Sequence, residues 1–202
     1  VYIFGTGHSH MLAEELFYRA GGLARVVPML HPPLMLHESA STSTQAERDP
    51  DVVGELLKQY PMTGGDVLVV ASNSGRNACP VELAMVAKER SVRTIAVLNS
   101  EHSAKWASRH SSGKRLGDVV DLVIDNCGVE GDACVPLPGS GLFVGATSTV
   151  TGCLIMQMIA CRATEMLNAS GRQPELYQSS NANHDERNAA LIAEHKQTNP
   201  HL

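Results

Sequence analysis

The run Asp66–Ala71 (DVLVVA) limits the possible folds more than any other stretch: it is apolar almost without a break and ends in Ser72-Asn73-Ser74-Gly75-Arg76-Asn77. A strand with one face in water alternates apolar and polar residues. A continuous run marks a strand covered on both faces, as in a parallel sheet between two helix layers. Pro80 suits the first position of a helix reaching to about Glu89. Thr94–Leu98 and Asp121–Asp125 predict two more strands, and Val1–Phe4 another. Arg25–Leu30 is a further candidate, and its Pro28 points to an edge position.

The spacing predicts helices over His10–Ala20, with Leu12, Leu16 and Ala20 on one face, and over Asp51–Tyr60, about Gly145–Leu167 and Asp185–His195. The third of these is apolar on nearly every face and is expected to be buried all round, by its own core and by a partner subunit. His31–Pro50, with its SASTST run, reads as a long functional loop with room for a short helical turn. His102–Gly117 reads as a mobile polar segment and Pro136–Gly141 as a turn. Strands and helices in alternation predict a doubly wound parallel α/β sheet, whose ligands bind beyond the carboxyl ends of the strands.

With 202 residues, 43% of them apolar, the chain has the material for one domain with a real core. A net charge of -5 offers nothing to a nucleic acid, but backbone amides and hydroxyls can hold a single phosphate without a basic surface. Five cysteines without a CxxC argue against a disulfide framework or a zinc ribbon and suit a reducing cytosol. The reading is a cytoplasmic protein with no membrane partner, no stretch having the length and purity of a span. Val1 already stands inside a strand-like run, so helices are expected upstream of this numbering.

Two loops carry the chemistry. Gly5-Thr6-Gly7-His8-Ser9 follows a strand and precedes a helix, where glycines let the backbone approach an anion. A tight turn without a ligand explains it as well. A dinucleotide fingerprint does not, because His10 stands where a third glycine is needed and Leu30-His31 where an acid is needed. In the second loop, Ser72, Ser74 and Asn77 surround Gly75, with Asn73 between the serines. Helix capping by Ser74 or Asn77 accounts for one such residue and not for three. The two loops together predict phosphate binding without a cofactor.

The order FGTGHS, DVLVVASNSG, TIAVLNS, DLVIDN resembles the SIS (sugar isomerase) domain of phosphosugar isomerases and phosphosugar-binding regulators. The family's GxGxS turn maps onto Gly5, Gly7 and Ser9, and its SxSGxT loop onto Ser72, Ser74 and Gly75, with Asn77 in place of the usual threonine. SNSGRN, HSSGKRL and DNCGVEGDA are similar to an uncharacterised bacterial branch described only as phosphosugar-binding. The resemblance covers nearly the whole chain. It implies a single SIS domain over 1–202, a flavodoxin-like sheet of about five parallel strands, and a homodimer or homotetramer.

The resemblance also implies aldose–ketose isomerisation of a sugar phosphate, amino sugar phosphates included, through an enediol and a carboxylate base. Glu38 is the candidate base; a solvated loop carboxylate is the plain alternative. His184 or Glu186, supplied by a neighbouring subunit, is the second acid/base candidate, against a simple helix start capped by Asn183. His8 is placed to open the ring or contact a hydroxyl, or to serve structurally. Ser148, with Thr147 and Thr149, starts the long helix and is placed to meet the sugar or to cap. No metal is expected, since neither HxxxH nor CxxC occurs. A non-catalytic sensor and a phosphosugar lyase or epimerase remain the other functions this domain implies.

Overall fold

The computed structural model describes residues Val1 to Leu202. Five strands form one sheet: β1 (Tyr2–Gly5), β2 (Val27–Met29), β3 (Val67–Ala71), β4 (Arg93–Leu98) and β5 (Leu122–Asp125), in the order β2-β1-β3-β4-β5. Every neighbouring pair is parallel, and the order is that of the flavodoxin-like doubly wound sheet. β2 is an edge strand, so Pro28 sits where one side of the strand needs no partner.

Alternate residues of the central strands enter two separate cores, because successive side chains leave a strand on opposite faces. Tyr2, Phe4, Leu68, Val70, Ala96 and Leu98 belong to one, with α3 (Val52–Gln59) and α4 (Ala78–Glu89). Ile3, Val69, Ala71 and Val97 belong to the other, with α1 (Met11–Leu16) and α7 (Ser148–Ala169). The register sets Gly5 opposite Ala71, Ala71 opposite Val97 and Leu98 opposite Asp125. Four strands therefore stop at nearly one level, and their outgoing loops share an edge.

Several elements depart from the sequence expectation. The first helix ends at Leu16 instead of Ala20, because Phe17 turns extended and Tyr18 takes a φ of 42°. The region expected as a loop contains α2 (Ala40–Ala46). Its Ser39 accepts the Thr42 N–H, Thr44 donates to the Ala40 carbonyl, and the buried Ser43 donates to the Leu34 carbonyl. Such side-chain bonds let a Ser/Thr run become helical once a tertiary partner exists. The polar segment expected to be mobile holds most of α5 (Ser100–Lys105) and the start of α6 (Leu116–Val119). Arg115 fastens the two by donating to the Ser103 carbonyl.

The expected turn Pro136–Gly141 is the tip of an antiparallel hairpin, β6 (Ala133–Pro136) and β7 (Phe143–Ala146). α7 consequently begins at Ser148 and not at Gly145. The last helix, α8 (Asp185–His195), has the expected bounds. α7 is not buried all round within this chain: Gly152, Met156 and Ala160 face the core, while Val150, Leu154 and Met158 are more than 60% exposed. By length and composition its 22 residues would also suffice to cross a membrane, which corrects the expectation that no segment could. Here its inner face rests on α1.

The α1–α7 contact is close. A Cβ at Gly152 would stand 2.7 Å from Leu12 Cδ2. Gly152→Val is expected to lower stability by ~1–3 kcal/mol through overpacking, read as a lower urea midpoint with unchanged slope.

Candidate functional site

The common edge of β1, β3, β4 and β5 carries a narrow cleft lined by Ser9, Ser72, Asn73, Asn126, Ser148 and Thr149 over a floor of Leu12, Ala71 and Val97. The cleft is open to solvent and its volume is ≈ 10 Å³, room for about one water. The two loops singled out in the sequence meet here. No titratable side chain lines it.

The first loop folds tightly over its strand. A Cβ at Gly5 would lie 2.4 Å from the Ser9 carbonyl carbon, so only glycine allows the 3₁₀ turn Gly7–His10 to cross above β1. Ser9 thereby enters the cleft, while His8 points outward and is exposed. Thr6 donates to the Glu47 carboxylate at 2.9 Å, and the Glu47 carbonyl accepts the Cys79 N–H of α4 at 3.1 Å. Glu47 thus ties the first loop to the head of the helix behind the second. It belongs to the segment expected to be a loop, and nothing local in the sequence marks it.

In the second loop, Gly75 has a φ of 57° and packs against Ser103, Leu98 and Leu116. Its N–H turns back to the Ser72 carbonyl and hydroxyl. The backbone N–H groups of Ser74, Arg76 and Asn77 give no bond within the chain, and they lie in the loop that leads into α4. Asn77 does not cap that helix; its Oδ1 accepts from Arg109 at 2.8 Å. Burial and the nearby guanidinium groups of Arg76 and Arg48 hold Arg109 below the usual arginine range. The head of α4 is therefore uncapped and cationic, the condition for seating an anion.

A chain of amides, Asn99 and Asn126 buried and Asn73 half-buried, supports the edge from below. Asn126 donates to Asn73 at 2.8 Å and accepts from Asn99 at 3.3 Å and from the Gly128 N–H at 2.9 Å. Asn99 also donates to the Gly128 carbonyl at 2.7 Å. The signal was present in the sequence: an asparagine follows β3, β4 and β5 within two residues of each strand end. At the remaining wall, Asp132 accepts the N–H groups of Thr147 and Ser148 and both of their hydroxyls. Burial pushes its carboxyl up, and those bonds outweigh it, leaving it below the usual carboxylate range.

The acid/base candidates stand outside the cleft lining. Glu38 is exposed and lies 3.6 Å from His37, whose ring approaches that of His10. His184 and Glu186 are exposed at the head of α8. That helix and the tail after it are tied by Asn188 to Gln178 and by Asn199 to the Val26 carbonyl, on the side of the sheet where the strands begin. Within one subunit neither comes to the cleft. Glu175, Glu194 and His195 bring ligand atoms within 4.8 Å of one another on that same side, but Glu175 is engaged by Arg25 through two bonds.

The family model for the SIS domain matches residues 1–99, the part of the chain that contains both Ser/Gly loops. UPF0309 protein lin2794 of Listeria innocua is 43% identical over 203 residues, covering 100% of this chain and 82% of that protein. UPF0309 protein Teth39_1980 of Thermoanaerobacter pseudethanolicus is 41% identical over 204 residues, covering 100% and 83%. The chain belongs to the family of the UPF0309 proteins, and its residues 1–99 match the SIS domain. Among solved structures, a phosphoheptose isomerase from Francisella tularensis gives a TM-score of 0.45 at 17% identity over 79% of this chain and 73% of that one. The NanR protein of Vibrio vulnificus, complexed with ManNAc-6P, gives 0.41 at 13% over 100% and 56%. Likeness at that level says nothing about the ligand of this chain.

Asn126→Ala removes one member of the amide chain and leaves Asn73 and Asn99 short of partners. The expected cost is ~1–3 kcal/mol, measured by urea unfolding, and Asn126→Asp is not expected to restore it.

Proposed function

We propose that this chain binds a phosphorylated sugar at the carboxyl edge of its sheet and interconverts its aldose and ketose forms. The observation that carries the binding is the head of α4: the free N–H groups of Ser74, Arg76 and Asn77 beside the cationic Arg109. Ser72 stands on the cleft beside this head, and Ser9 faces it from the first loop. Hydroxyls and amides of this kind donate to phosphate oxygens at little conformational cost. Phosphate held away from the reacting carbons supplies affinity that positions them.

In the isomerisation Glu38 takes the proton from the carbon beside the carbonyl, and the enediol receives it back on the neighbouring carbon, with no net oxidation. His8 serves ring opening or a hydroxyl contact. His184 and Glu186 take part only if a second subunit brings them, which goes with assembly as a homodimer or homotetramer in the cytoplasm. The bare outer side of α7 is a surface suited to that assembly. A second reading, a phosphosugar sensor without turnover, is favoured by one observation: no titratable side chain lines the cleft.

Hexose 6-phosphates are expected to raise the melting temperature where the free hexoses do not, and Ser74→Ala to weaken phosphate esters about tenfold, near 1.4 kcal/mol. Equal shifts by sugar and sugar phosphate would count against phosphate capture. Glu38→Gln is expected to end isomerase turnover with affinity kept; turnover by that variant removes Glu38 as the base. Absence of turnover in the unmodified protein, with binding present, favours the sensor.

A further inference from the structure

Two helix heads border the cleft, and they are built in opposite ways. That of α4 is rich in free donors, has no acid in its first turn, and gives its cap residue Asn77 to Arg109. That of α7 is already occupied by an anion from its own chain. Asp132 Oδ1 accepts the Thr147 N–H at 3.0 Å, the Thr147 hydroxyl at 3.1 Å and the Ser148 N–H at 2.7 Å, and Oδ2 accepts the Ser148 hydroxyl at 2.8 Å.

This carboxylate is fixed in place. Asp132 has a φ of 73°, a conformation that aspartate tolerates better than most residues. Its own N–H donates to the Val129 carbonyl, and its carbonyl accepts from the Thr147 N–H and hydroxyl. The groups that hold the carboxylate are all neutral, and no Lys or Arg offsets its charge. Ser148, which lines the cleft, has its hydroxyl proton engaged by Asp132. Its oxygen therefore presents lone pairs to a ligand and no proton. One end of the cleft offers donors to an anion. The other offers an acceptor backed by a fixed negative charge.

We propose that Asp132 sets the direction in which the ligand lies and restricts it to molecules with a single phosphate. The phosphate goes to the head of α4, and the hydroxyl-bearing or amino end goes to Ser148 at the head of α7. A second phosphate at that end meets the fixed charge of Asp132, which already holds the Thr147 and Ser148 amides. The role belongs to a positioning residue that acts through Ser148, and it rests on the phosphosugar reading above.

The test compares a hexose 6-phosphate with a hexose 1,6-bisphosphate by titration calorimetry. The unmodified protein is expected to bind the monophosphate at least about tenfold more tightly. Asp132→Asn keeps an acceptor for the Thr147 and Ser148 amides and removes the charge. It is expected to tighten the bisphosphate relative to the monophosphate at least about tenfold, a change of ratio that loss of structure alone would not produce. Equal affinity for the two esters in the unmodified protein overturns the proposal without any variant, and so does an unchanged ratio in Asp132→Asn. If the unmodified protein binds neither ester, the phosphosugar reading itself falls and this inference with it; if it binds both alike, only the inference falls.

Discussion

Parallel strands that stop at one level leave a row of backbone and loop polar groups at the edge of a sheet whose faces are already covered by helices. Those groups need partners from somewhere, because an unpaired polar group away from water costs of order 1–3 kcal/mol. In this chain Asn73, Asn99 and Asn126 serve the loops after β3, β4 and β5 by bonding to one another and to Gly128. The rim of the cleft sits on that amide chain. The N–H groups that remain unpaired at the head of α4 are consequently free to meet a ligand.

The two cores explain why the rim is rigid in some places and open in others. Leu12 and Gly152 clamp α1 to α7, so that Ser9 and Ser148 are carried on elements packed directly together. Gly75 is clamped in the same manner between Leu98, Ser103 and Leu116. The acid/base candidates lack such support. Glu38 lies on an exposed stretch before α2, and His184 and Glu186 ride on α8, whose anchors Asn188 and Asn199 hold it to the far side of the sheet. The groups suited to binding and those suited to proton transfer thus belong to different parts of the fold, a packed rim and an exposed periphery.

Electrostatically the cleft is uneven without being charged in itself. Arg109, with Arg76 and Arg48 near it, stands behind one end, and Asp132 stands behind the other. A chain with a net charge of -5 can attract a phosphate under these conditions because local dipoles and a few fixed charges outweigh a distant, screened total.

The strands were legible in the sequence because a parallel strand buried on both faces must be apolar throughout, and DVLVVA and TIAVL have no other simple reading. The edge position of β2 was legible from Pro28, and the meeting of the two Ser/Gly loops from their common place after strands. α2 was not legible, since Ser and Thr runs become helical only when a carbonyl such as that of Leu34 is there to accept Ser43. The hairpin, Glu47 and Asp132 were hidden for the same cause. Asp132 caps a helix that begins 16 residues later, and Glu47 bonds Thr6 across 41 residues. Periodicity and local chemistry depend on neighbours in the chain and are written into it directly. Which carboxylate reaches which loop depends on how the layers close, and only the tertiary structure decides that.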